Sequence, residues 1–148
     1  MKILGKYPGL RLRRIRNKDW IRRLISENSL SSDDLILPIF LRDGKNKIEP
    51  IKSMPGINRY TVDKIQKIIN EACENKIPLI ALFPNTPSSK KNSTGSEALN
   101  EKNLVCTALK IIKKNFDEIG VMCDVALDPY TDHGHDGVIK KNYVDNDE

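Results

Sequence analysis

Residues 79–83 read LIALF and are closed by Pro84. An apolar run this short and this continuous predicts a strand covered on both faces, because a strand with one wet face alternates in polarity. Working outward, residues 35–41 (LILPIFL) give a second run of the same kind. Pro38 inside it is a warning, since proline takes a donor out of a sheet ladder. Between the two runs, Thr61 is placed to cap a helix. Ile65, Ile68, Ile69, Ala72 and Cys73 then follow the spacing of one buried helical face. The segment before that helix, with Asp43-Gly44 and Met54-Pro55-Gly56, reads as a loop.

Downstream, residues 84–98 (PNTPSSKKNSTGSEA) read as a long mobile loop at the end of a strand, which serves as a lid or is simply exposed linker. Asn100 is placed to cap a third helix with Leu104, Val105, Ala108, Ile111 and Ile112 inward, and residues 121–127 (VMCDVAL) predict a third strand. Upstream, Asn17 is placed to cap a short helix with Trp20, Ile21, Leu24 and Ile25 on one face, preceded by an extended arm over residues 1–16. Strands alternating with helices predict βαβ units and a parallel sheet, the α/β class.

The chain has 148 residues, 39% hydrophobic and 30% charged, which suits one soluble globular domain. No apolar run approaches the roughly 20 residues that span a bilayer, and the start of the chain has no apolar core of a signal peptide, so a cytoplasmic protein without membrane contact is expected. The net charge of +5 is uneven. Arg11, Arg13, Arg14, Arg16, Lys18, Arg22 and Arg23 crowd one segment, while residues 145–148 are acidic. A basic stripe can bind nucleic acid or an anionic membrane surface, but aromatic residues are scarce and no nucleic-acid motif accompanies it, so a solvated arm, or one that docks on a partner subunit, is the reading preferred here. Cys73, Cys106 and Cys123 form no CxxC pair and no even-numbered framework. They read as small buried thiols.

Chemistry concentrates in DVALDPYTDHGHDG, residues 124–137. If the third strand runs to Leu127, Asp124, Ala126 and Asp128 share one face of it. Carboxylates are costly to bury unless paired or used, and in parallel α/β folds ligands sit at the carboxyl ends of strands. The alternative is structural, with Asp128 capping the turn at Pro129 and Asp124 pairing with a base. Both histidines of the chain, His133 and His135, follow beside Asp132 and Asp136, which fits a hard-metal site or an acid–base site.

Those residues carry a resemblance. The run DVALDPYTDHGHDGV is similar to the active-site segment of the porphobilinogen synthase (delta-aminolevulinic acid dehydratase) family. So, in order, are RLRRIRNKDWIRRLISEN (residues 11–28), DDLILPIFL (33–41), EPIKSMPGINRY (49–60), IPLIALFP (77–84) and TGSEALN (94–100). The resemblance implies a (β/α)8 TIM barrel preceded by an N-terminal arm, here residues 1–16, with residues 17–148 supplying the first part of the barrel. It implies condensation of two 5-aminolevulinate molecules to porphobilinogen in haem and tetrapyrrole synthesis, by homo-octamers that the arm helps assemble. Asp124, Asp128 and Asp136 would form an active-site wall. Zinc-dependent members carry cysteines where this chain has Ala126, Asp128 and Asp136. Zinc favours thiolate and imidazole, so this chain resembles the aspartate-rich branch and zinc is not expected. The family's two Schiff-base lysines and its magnesium site would lie beyond Glu148. Lys140 and Lys141 fall in a GVIKKNYV hairpin as solvated charge.

A (β/α)8 barrel takes about 250 residues, so the chain is expected to be a fragment that is inactive alone. The rival from another class is a non-catalytic remnant or subunit-docking module with a basic arm. A metal-dependent hydrolase built on Asp128, His133, His135 and Asp136 is the second enzymatic rival.

Overall fold

The computed structural model describes residues 5–145. Residues 1–4 of the expected arm and 146–148 of the acidic end lie outside the described residues. The chain divides into two compact units, residues 1–31 and 32–148.

In the first unit the arm is extended only in part, with a turn at residues 7–9 and a 3-10 turn at Arg14–Arg16. Asn17 ends that turn by donating its backbone N–H to Arg14 O, and the cap position of helix α1 (Asp19–Leu24) belongs to Lys18. The expected cap is thus displaced by one residue. Asp19 instead stabilises the first turn through ion pairs to Arg22 at 3.2 Å and Arg23 at 3.4 Å. No residue of α1 is buried, and Trp20 and Leu24 are 57% and 76% exposed, so the apolar face that the spacing predicts has no cover within its unit.

The second unit is built on a five-stranded sheet in the order β2-β3-β1-β4-β5. Its strands are β1 (Ile36–Arg42), β2 (Ile48–Pro50), β3 (Asn58–Thr61), β4 (Leu79–Asn85) and β5 (Gly120–Cys123). β1 runs parallel to β3 and β4, and β4 parallel to β5; only β2 is antiparallel, to β3. Pro38 is tolerated because it sits where β1 pairs with β4 alone; β3 joins only from Phe40 onward. β2 and β3 lie in the stretch expected to be loop, so that expectation is corrected. Glu49 of β2 holds them, paired with Arg59 at 3.1 Å and with Arg42 of β1.

Helices α2 (Ile65–Glu74) and α3 (Leu104–Asn115) cover one face of this sheet. Ile65, Ile69 and Ala72 of α2 and Ala108 and Ile112 of α3 pack with Ile39, Leu41, Ile80, Leu82 and Ile119. Each buried Ile or Leu stabilises the fold by roughly 1.5–3 kcal/mol. The inward spacing of both helices follows the sequence except at Cys73, which is exposed, and their starts differ. Thr61 flanks the 3-10 turn before α2, yet its hydroxyl exchanges bonds with the backbone of Lys47 and accepts no capping bond from the helix. α3 is capped by Asn103, whose Oδ1 accepts from Cys106 N at 2.8 Å, while Asn100 folds into the preceding turn. Cys73 is exposed and Cys106 and Cys123 are only half-buried, against the expectation of buried thiols.

Gly120 starts β5 in close packing: a Cβ there would lie 3.2 Å from Pro78 O and 2.7 Å from Leu79 Cδ1, which would have to shift. β5 stops at Cys123, paired with Leu82, and residues 124–127 leave the sheet. The strand predicted to reach Leu127 therefore ends four residues early, and no strand aligns Asp124, Ala126 and Asp128 on a shared face. A two-stranded hairpin, β6 (Ile139–Lys140) and β7 (Tyr143–Val144), turns through Lys141 and Asn142, both at positive φ. Lys140 pairs there with Asp145 at 2.7 Å. No helix among the described residues is long and apolar enough to cross a membrane.

Candidate active site at the carboxyl ends of the strands

β1, β4 and β5 end at Arg42, Asn85 and Cys123, and the segments that follow carry the polar residues singled out above. After β5 the backbone winds into a tight turn, with Tyr130 N and Thr131 N donating to Leu127 O at 2.8 and 3.0 Å. Asp136 closes it: its Oδ1 accepts from Leu127 N at 2.8 Å and Asp128 N at 3.0 Å. These two donors, that of Asp128 first, hold the Asp136 carboxyl below the ordinary range. Asp136 thus meets Asp128 through the backbone. Asp124 and Asp128 are exposed on either side of Ala126, free of the strand that was to align them.

The loop after β4 is not the featureless stretch the composition suggests. Asn92 organises it, with its Oδ1 accepting from Thr94 N, Thr94 Oγ1 and Ser96 N and its Nδ2 donating to Ser96 Oγ. The Asn92 backbone also bridges to the second loop, donating to Tyr130 O at 3.3 Å and accepting from Asp132 N at 3.1 Å. Gly95 is buried at φ +62, a left-handed conformation that favours glycine. His133 Nε2 lies 3.1 Å from Ser93 O, and His133 Nδ1 lies 3.2 Å from His135 N. The rings of His133 and His135 stack at 5.8 Å.

Beside these loops lies a cavity of about 180 Å³ lined by Asp43, Thr86, Lys90, Glu97, Lys102 and Tyr130. Asp43 pairs with Lys90 at 3.1 Å, and that bond lowers its pKa. Burial raises the Tyr130 hydroxyl and, likewise, the Cys123 thiol. Thr86 Oγ1 is buried without a hydrogen-bond partner among the described residues. Sequence reading missed Asn92, Ser93, Thr86 and Lys90. Asn92 had the one usable signal, since Asn-Ser-Thr-Gly is turn chemistry.

Among the described residues no three His, Cys, Asp or Glu side chains are placed to hold a metal ion. The three positions compared with zinc cysteines do not fit that metal: Ala126 has no donor atom, and Asp136 spends an oxygen on two backbone amides.

A parallel sheet with helices on one face, and two interlocked polar loops at its carboxyl ends, defines an α/β protein of the kind that binds ligands at the ends of its strands. The profile of the family described as delta-aminolevulinic acid dehydratase matches residues 9–148, and the chain belongs to that family. It is 54% identical over 139 residues to a delta-aminolevulinic acid dehydratase of Bradyrhizobium diazoefficiens, covering 94% of this chain and 39% of that protein. It is 41% identical over 138 residues to one of Chlamydia pneumoniae, covering 93% and 42%. The fold superposes with a TM-score of 0.84 and 34% identity on the crystal structure of delta-aminolevulinic acid dehydratase (porphobilinogen synthase) from Toxoplasma gondii in complex with the reaction product porphobilinogen. That match covers 93% of this chain and 40% of that one. The chain thus spans about two-fifths of the length of these relatives.

Proposed function

We propose that this chain is the N-terminal part of a porphobilinogen synthase, which condenses two 5-aminolevulinate molecules to porphobilinogen with loss of water. The observation that carries this is the superposition on a relative holding porphobilinogen itself. The sheet then forms the first strands of a TIM barrel, and its uncovered face turns inward. That face carries Phe40 tilted against Phe83, with ring centroids 5.7 Å apart, and Arg42 beyond them at the carboxyl end.

Asp124 and Asp128 are the carboxylates open to a substrate amine, able to hold it and to move protons. Asp136 acts on Asp128 by fixing its backbone. The lysines that would hold the substrates as imines lie outside this chain, as would a magnesium site. Zinc is not held here, because Ala126 has no donor atom and Asp136 Oδ1 is taken by the amides of Leu127 and Asp128. Dialysis against zinc followed by metal analysis should leave substoichiometric metal, whereas one zinc per chain lost on Asp128→Ala would overturn this.

The basic first unit serves homo-oligomer assembly, up to an octamer, rather than nucleic acid: Trp20 and Leu24 are exposed among its arginines, an apolar surface suited to protein. Three free cysteines fit the reducing cytoplasm.

The test is to fuse the chain to the part of the Bradyrhizobium relative that lies beyond the match. The fusion should form porphobilinogen from 5-aminolevulinate and the chain alone should not. Turnover by the chain alone, or none by a folded fusion, would refute the assignment.

A further inference from the structure

His133 stands between the two loops, and its two ring nitrogens face groups that leave it one arrangement. Ser93 O is a carbonyl and can only accept, so Nε2, 3.1 Å away, carries the proton. His135 N–H can only donate, so Nδ1, 3.2 Å away, offers a lone pair. The network therefore assigns a neutral imidazole with its hydrogen on Nε2. On one side the ring grips the loop after β4. On the other it fixes the amide of His135, whose carbonyl accepts from the buried Thr131 Oγ1 at 3.0 Å. The next residue is Asp136, whose carboxylate holds Leu127 N and Asp128 N. Hydrogen bonds from Ser93 to His133 and from His133 to His135, the peptide link from His135 to Asp136, and the bond from Asp128 N to Asp136 thus connect Ser93 to Asp128.

We infer that His133 is a positioning residue: as the Nε2–H tautomer it ties the loop after β4 to the turn that aims Asp128. The inference rests on reading residues 124–136 as the active-site wall. The backbone bridge between Asn92 and residues 130 and 132 does not pass through the imidazole, so a His133 variant keeps the loops docked and the fold intact. What it loses is the setting of Asp128, and loss of a supporting partner, or misplacement by about 1 Å, costs about 10–100-fold in activity.

Two readouts test this. Nitrogen-15 NMR of the chain should show His133 with its proton on Nε2 and an unprotonated Nδ1. A proton on Nδ1, or fast exchange between tautomers, overturns the inference whatever the assay gives. In the fusion described above, His133→Ala should lower kcat about 10–100-fold with KM within about twofold. His133→Gln, which can still donate toward Ser93, and His133→Asn, which can still accept from His135, should each recover part of that loss. Unchanged kcat in His133→Ala, in an active fusion, overturns the positioning role and leaves the proposed function standing. An inactive unsubstituted fusion removes both.

Discussion

The two faces of the five-stranded sheet are made by neighbouring residues and are treated oppositely. On the helix-covered face, Ile39, Leu41, Ile80 and Leu82 are at most 1% exposed. On the other, Ile36, Phe83 and Met122 are 48%, 37% and 45% exposed, and Arg42 and Arg59 converge on Glu49 toward the carboxyl end. Burial energy is concentrated on the first face, so that face decides whether the unit folds. The second is apolar low in the strands, aromatic at Phe40 and Phe83, and charged at the top.

The comparison can be broken most directly in the core. Leu82→Ala should destabilise the chain by about 2–5 kcal/mol in urea unfolding, and Met122→Ala, on the other face one strand away, by less than about 0.5 kcal/mol. Equal losses would mean that both faces are buried in solution, by association of chains. A smaller effect sharpens the account of how α3 is held on its face. Asn103→Ala should cost about 1 kcal/mol through the lost cap, and Asn100→Ala clearly less. The reverse order would return the cap to Asn100. The smallest effect concerns the turn at the carboxyl end. The Asp136 carboxyl is held below its ordinary value of 3.8, so its contribution is full above that pH and is lost as pH falls through the lower folded value. Asp136→Asn should flatten the acid end of the stability–pH curve, and an unchanged curve would show that the turn does not depend on that charge.

Much of this architecture is legible in the sequence because it is periodic. Ile65, Ile69 and Ala72, or Ala108 and Ile112, repeat at helical spacing, and the runs of β1 and β4 are apolar throughout. What escaped notice is held by distant partners. β2 and β3 are three and four residues long and owe their pairing to Glu49 between two arginines, which no local pattern announces. The apolar run VMCDVAL points to a long strand, yet its second half has no partner, because β4 pairs with β5 only as far as Leu82. Asn103 stands directly before the first inward residue of α3, a local signal that outranks Asn100. In the site, the polar residues of 124–136 stand out in the composition alone. The grip of His133 on Ser93, forty positions away, needs the fold to be seen.

The edge left at β5 has a practical consequence. Among the described residues, Gly120–Cys123 is bonded to β4 on one side and to no strand on the other. Four backbone positions are therefore available to template a further strand. In a solution of this chain the readiest supply of such strands is other copies, so its state should depend on concentration. Light scattering should climb with loading, and a charged residue at Met122, whose side chain is open to solvent, should hold the particles apart by mutual repulsion.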